Sequence, residues 1–222
     1  MAIVWPCPLS VDAYAEAGRG VDVPRPECPR CAAAMCFWSG YRRWVRAAGR
    51  CWRIFVPRVR CGRCCESHAL LPSFVLAGRL DVVDSVGQVL EAVASGLVGV
   101  RPAAARVGVA HTTAREWLRR FTARASAIGV AFAALCAELG GPVLAPRADT
   151  AAGAVSAIGA AFRAACEFPG WVRLTRWRFA SAVSGGRLLA ANTVSPYLVV
   201  GRRRFLPPVP GIDTGAGGEH GP

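Results

Sequence analysis

The sequence predicts a mainly α protein with a small β zinc ribbon: an N-terminal zinc-ribbon hairpin, then a helix-turn-helix domain, then a helical C-terminal region. Three observations predict it. Two C-x-x-C pairs, Cys28/Cys31 and Cys61/Cys64, bracket a segment rich in aromatic and β-branched residues. Apolar residues recur at helical period from Val82 onward. Ala104, Gly108 and Trp117 take the spacing of two helices that cross at a tight turn. With 222 residues, 53% of them hydrophobic, the chain can bury a core, which excludes wholesale disorder.

The expected organisation is an N-terminal extension over 1–24, the zinc ribbon over 25–72 and the helix-turn-helix over 78–126. A helical hairpin over 127–168, a basic aromatic arm over 169–206 and a disordered Pro/Gly-rich tail over 207–222 complete it. The longest apolar stretch, near 125–137, falls short of the roughly 20 residues a bilayer requires. Residues 1–7 carry no basic region ahead of an apolar run, so no secretory signal is expected. The expectation is a soluble protein of the reducing cytoplasm, associated with the nucleoid, in which clustered cysteines bind metal.

The net charge is +13, and every basic side chain other than histidine is Arg. Residues 21–80 hold eleven Arg against three acids, together with seven of the ten Cys. Metal site and positive charge therefore coincide. Arg matches phosphate geometry, and each neutralised phosphate releases a counterion, so a polyanionic partner is expected. Codon bias in a high-GC genome accounts for Arg in place of Lys, but not for the excess of base over acid.

Cys28-Pro29-Arg30-Cys31 and Cys61-Gly62-Arg63-Cys64 are separated by 29 residues. The short spacing lets two thiolates face one ion from a single turn, and two such turns supply a tetrahedron. Four protein ligands leave no open position for a water nucleophile, so one structural Zn2+ is expected at Cys28, Cys31, Cys61 and Cys64. Between the pairs, 37–46 and 50–60 read as strands with a turn at Ala47-Ala48-Gly49, which carries both pairs to one place. Cys36, Cys51, Cys65 and His68 lie close enough in sequence to compete as ligands. Arg30 and Arg63 read either as charge compensation for the thiolates or as DNA contacts.

Beyond Leu71-Pro72 the period changes. Asp81 or Asp84 can cap a helix through Val82, Val86, Val89, Leu90 and Val93. Pro102 suits the first turn of a short second helix, Gly108 the tight turn, and a third helix begins at His111. Ala114, Trp117, Leu118 and Phe121 form its inner stripe, which leaves Thr112, Thr113, Arg115, Glu116 and Arg119 outside. In a DNA-binding helix-turn-helix the N-terminal side chains of this helix meet base edges in the major groove. Arg115 would read guanine, Thr113 a thymine methyl or a phosphate, and Glu116 a cytosine amino group. His111 would cap the helix or hold a phosphate, and Arg119, Arg120 and Arg124 would hold phosphates further along. The alternative is an ordinary helical hairpin with a solvated basic face.

Cys136 and Cys166 read as inert core residues, and Trp171, Arg173, Arg176, Trp177, Arg178 and Phe179 as an arm that either tracks nucleic acid or docks on the protein. No enzyme is expected. A transposase-type core needs carboxylates around two metal ions, and the only acids after the helix-turn-helix are Glu138, Asp149, Glu167, Asp213 and Glu219.

The order Cys-Pro-x-Cys, hairpin, Cys-Gly-x-Cys, helix-turn-helix resembles the N-terminal DNA-binding half of bacterial insertion-element transposases. Arg58-x-Arg60-Cys61-Gly62-x-Cys64, His68-Ala69-Leu70-Leu71-Pro72-Ser73-Phe74 and Trp177-Arg178-Phe179-Ala180 look like an uncharacterised family of transposase-associated proteins from high-GC bacteria. The resemblance implies binding of element ends or operators, with any catalytic domain on a separate polypeptide. The expected partner is double-stranded DNA, with a separate transposase catalytic subunit and a second copy of the chain (a homodimer) as further candidates, and no membrane. A transcriptional regulator using the same helix, or a zinc-ribbon adaptor for a protein or RNA partner, is the alternative.

Overall fold

The aromatic run between the cysteine pairs folds into a long hairpin, and the segments on either side of it complete a sheet. The computed structural model describes residues 2–143, 150–168 and 173–189. In chain order they form β1 (Ala2–Trp5), α1 (Val11–Ala17), a short 3-10 turn (Gly18–Gly20), β2 (Met35–Ala47), β3 (Arg50–Cys61) and β4 (Ser67–Pro72). Then come α2 (Val83–Ala94), α3 (Val100–Arg106), α4 (His111–Thr122), α5 (Ala125–Glu138), α6 (Ala151–Ala165) and α7 (Arg176–Val183).

The expectation of a mainly α protein with a small β hairpin is overturned. The strands form one four-stranded mixed sheet in the order β1-β4-β3-β2, with β1 parallel to β4 and the other pairs antiparallel. The physical reason lies at the N-terminus. Ala2–Trp5 pairs with 69–72, so the segment read as an extension supplies a strand from far away in the chain. α1 follows on Ser10, whose side chain accepts from the Ala13 N–H, and it lays Tyr14 into the sheet core. Tyr14 is fully buried, meets the Phe74 ring edge-on at 5.3 Å, and donates its hydroxyl proton to the Phe55 carbonyl at 3.1 Å.

β2 and β3 turn through Ala48 and Gly49, both at positive φ (45° and 74°), a two-residue turn whose twist matches that of the strands. One bulge, at Trp38, interrupts their register between Phe37 and Ser39. The sheet core gathers Trp5, Tyr14, Ile54, Val56, Leu70 and Phe74. A separate helical core gathers Val86, Leu90, Trp117, Phe121, Ile128, Phe132, Ile158 and Phe179. Val75 falls in the first and its neighbour Leu76 in the second, so the chain crosses between the two within one peptide bond.

α7, read as part of a basic aromatic arm, is a packed helix. Thr175 caps it by accepting from the Arg178 N–H. Trp177 and Phe179 are buried, and the indole lies so close over Gly87 of α2 that a Cβ there would sit 2.1 Å from the ring. Arg176 pairs with Glu91 at 2.8 Å and Arg178 with Asp84 at 2.9 Å, while Arg178 also donates to the Leu9 carbonyl and Ser181 to the Val75 carbonyl. These guanidinium groups are therefore engaged in holding α7 to α2 and to the N-terminal segment. Residues 169–172 and 190–206 of the arm, and the tail over 207–222, lie outside the described residues. Among the described residues, no single helix is long and apolar enough to cross a membrane.

Because only a hydrogen fits beneath Trp177, Gly87→Ala should cost about 1–3 kcal/mol through overpacking. Gly20→Ala, where no atom lies within reach, should cost far less. Urea unfolding of the two variants beside the wild type checks this difference.

Candidate metal centre and helix-turn-helix

Cys28 and Cys31 come from the loop before β2, Cys61 from the end of β3 and Cys64 from the loop that follows. Their Sγ atoms all lie within 4.8 Å of one another, with Cys28 to Cys64 and Cys31 to Cys61 each at 3.5 Å. A tetrahedron of sulfurs around an ion at about 2.3 Å has edges of about 3.8 Å, so this set can hold one metal ion. The two loops repeat one design. Each places the residue after its second cysteine, Ala32 or Cys65, at positive φ (58° and 59°), and that residue's N–H donates to the carbonyl of the first cysteine, Cys28 at 2.9 Å or Cys61 at 3.1 Å, whose own N–H donates to the carbonyl of Ala33 or Glu66. Backbone N–H groups point at sulfur in both loops, from Arg30 to Cys28 at 3.4 Å and from Cys64 to Cys61 at 3.5 Å.

Those N–H groups set the thiol chemistry. The Cys61 thiol is held down to about 6, foremost by the Cys64 N–H, against the opposing effect of burial. Burial also raises Cys28, yet the Arg30 and Cys31 N–H groups prevail and its value falls. Cys64 goes the other way, to about 12: the Glu66 N–H lowers it, but burial and its hydrogen bonds to Cys28, Cys61 and Cys31 prevail. A divalent ion at the centre of the cluster would favour the thiolate forms that these N–H groups already support at Cys28 and Cys61. Of the competing sequence candidates, Cys36, Cys51 and Cys65 are exposed and lie outside the cluster, and His68 is buried within β4. Arg30 reaches across to Glu66 of the other loop at 3.2 Å, so it pairs between the loops.

The hairpin runs from these loops to the helical layer, a span of roughly 35 Å at about 3.3 Å per residue. Its tip is fastened there. Arg46 holds Asp81, just ahead of α2, through two hydrogen bonds of 2.6 and 3.1 Å, and its backbone pairs with Leu80 and Val82. Gly108, between α3 and α4, sits at φ 68° with the tip against it: a Cβ would lie 2.9 Å from the Gly49 nitrogen. Gly108 therefore answers two demands, a left-handed turn and the close approach of another backbone.

α3 and α4 occupy the helical segments on either side of Gly108, and both pack on α2. On α4, Ala114, Trp117 and Phe121 are buried, while Thr112, Arg115 and Arg119 form an exposed stripe at helical spacing. His111 and Thr113 are half-buried at its start, where no side chain caps the helix. Glu116 is committed within the helix: it accepts two hydrogen bonds of 2.7 Å from Arg119 and one from Arg120. These two guanidinium groups hold its carboxyl at about 2. Arg124, half-buried, stands just past the end of α4, where the chain turns into α5 at 64°. The four cysteines are thus brought together, and the DNA-binding candidates other than Arg124 lie on one separate helix. The Arg46–Asp81 lock and the positive-φ residues of the metal loops had no reading in the sequence. Only the matched five-residue spacing of the two loops offered a signal for the latter.

The structure defines a chain in which a cluster of four cysteines that could hold a metal ion is joined by a long hairpin to a helical layer. Residues 28–117 match the model of a family described as a domain of unknown function (DUF6431). The match starts at the first cysteine of the cluster and ends at the buried Trp117 of α4. It takes in the metal loops, the hairpin, β4 and the helices to mid-α4, and leaves out β1, α1 and α5–α7. Neither the comparison with curated proteins nor that with solved structures gives a match.

Titration of the metal-free chain with a thiophilic divalent ion should saturate at one ion per chain, and Cys61→Ser should lose that binding while Cys51→Ser keeps it. Protons compete for the thiolates, so affinity should fall steadily on acidification. Metal content after gel filtration across a pH series reads both outcomes.

Proposed function

We propose that the protein binds double-stranded DNA sequence-specifically, as a transposase-associated or transposase-derived protein, with α4 as its major-groove recognition helix. The observation that carries this is the stripe of Thr112, Arg115 and Arg119. It is exposed on the second helix of a helix-turn-helix whose opposite face, Trp117 and Phe121, is buried. A bidentate Arg115 is suited to guanine, and Thr112 stands one turn nearer the helix start, where base edges are met. Arg119, Arg120 and Arg124 serve phosphates, as does the uncapped start of α4 near His111 and Thr113. Glu116, tied to Arg119 and Arg120, acts through them by fixing where their charges sit.

The metal of this reading is one structural Zn2+ on Cys28, Cys31, Cys61 and Cys64. Four thiolates close its coordination, so its contribution is to fasten the root of the hairpin. The link to transposition rests on the motif resemblance, and any strand-cleaving activity belongs to a separate polypeptide.

Selection of bound fragments from a random duplex pool is the test. A defined motif should emerge, and Arg115→Ala should cost about 1–3 kcal/mol on it while relaxing preference at one position. Arg119→Ala should weaken all sequences alike and lower the salt slope by about 1. An Arg115→Ala protein with unchanged affinity and unchanged preference would sink the assignment of α4. Zinc removal by a chelator should lower the melting temperature of the wild type.

A further inference from the structure

One exposed face of the hairpin has no part in the duplex reading. β2 and β3 together carry seven Arg and no acid. Four large aromatic side chains stand exposed on β2: Phe37 (44%), Trp38 (57%), Tyr41 (42%) and Trp44 (56%). Cross-strand partners share a face, so the register gathers Phe37, Gly40, Arg42 and Trp44 of β2 on the side of Phe55 and Arg53 of β3. There the Phe55 ring lies across Gly40, where a Cβ would come within 2.2 Å of it. Arg19 stands over Phe55 at 5.2 Å and Arg25 over Phe37 at 5.6 Å. Rings thus alternate with guanidinium groups along β2, an edge strand of the sheet that pairs onward at Arg46.

We infer that this face binds single-stranded DNA, with Phe37 and Trp44 as platforms for unpaired bases and Arg19, Arg25, Arg42 and Arg53 on the backbone. A polyanion is required by a surface with this much positive charge and no acid on either strand. Rings of this kind stack on base faces, which a duplex hides and a single strand offers. A second copy of the chain is disfavoured because it would bring the same Arg residues against these. The face has rings and guanidinium groups but no acceptor side chain for a 2′-hydroxyl proton, so nothing on it selects RNA. The choice of DNA over RNA rests on the duplex-binding reading; the choice of a single strand does not.

The test uses the full chain and labelled oligonucleotides of about 30 residues: oligo-dT, oligo-rU and a mixed-sequence duplex, followed by anisotropy and by tryptophan fluorescence. Oligo-dT should bind and quench the tryptophans. Trp44→Ala should weaken it by about tenfold, Trp44→Phe should restore it to within about threefold, and Arg53→Ala should reduce the salt slope by about 0.7. Trp44 is more than half exposed, so these variants keep the fold, and duplex affinity should stay at the wild-type value in both. Oligo-dT binding that ignores Trp44→Ala, or tighter binding of oligo-rU than of oligo-dT, overturns the proposal. If no duplex is bound while oligo-dT binding still depends on Trp44, the duplex reading fails and this one stands.

Discussion

The hairpin of β2 and β3 is fastened at both ends, and the remainder of the structure is arranged around that constraint. At the root, two loops meet through four cysteines whose sulfurs approach to 3.5 Å. At the tip, the bidentate Arg46–Asp81 pair and the contact of Gly49 with Gly108 join the strands to the helices. Asp81 is almost fully buried, so its charge is tolerable only because Arg46 neutralises it and satisfies both oxygens. A two-stranded ribbon alone is marginal in water, so pinning its ends, and adding β4 along one side, is what keeps it straight and defined.

Two long-range attachments then bind the layers. β1 enters the sheet from the start of the chain, and α7 returns near the end of the described residues to cover α2 and to reach Leu9 and Val75. Arg recurs in these attachments because a planar, always-charged fork can serve a carboxylate and a carbonyl at once. Arg178 does this with Asp84 and Leu9. Part of the large positive charge is therefore internal structure. Among the described residues, α4 and the outer face of the hairpin carry several of the exposed guanidinium groups.

The sequence made local features legible and hid the non-local ones. The C-x-x-C pairs announce themselves because two thiolates on one turn need that spacing, and the turn at Ala48-Gly49 could be read from its residue types. The helical period of Val86, Val89, Leu90 and Val93 is likewise a local signal. β1 is four residues long and its partner lies more than sixty residues away, so no window around it contains the evidence. β4, Ser67–Pro72, has no β-branched residue to mark it as a strand. α7 misleads by composition: Arg and Trp side by side suggest a surface arm, while Glu91, Asp84 and Gly87, which bury and neutralise them, belong to a helix some ninety residues earlier. Glu116 lies outside the buried stripe of α4, but its ties to Arg119 and Arg120 depend on rotamers that spacing alone does not determine.

The hairpin also acts as a ruler. Its two ends are fixed by independent chemistry, so its length alone sets how far the cysteine loops stand from α4. Side chains alternate with a period of two, so adding one residue to each strand would turn the platform face inward and bury its charges. Adding two to each would preserve both faces and move the metal loops out by about 6.6 Å. Relatives that differ by paired, even insertions between the second and third cysteines would thus keep both faces of the hairpin while holding the cysteine loops at different distances from α4.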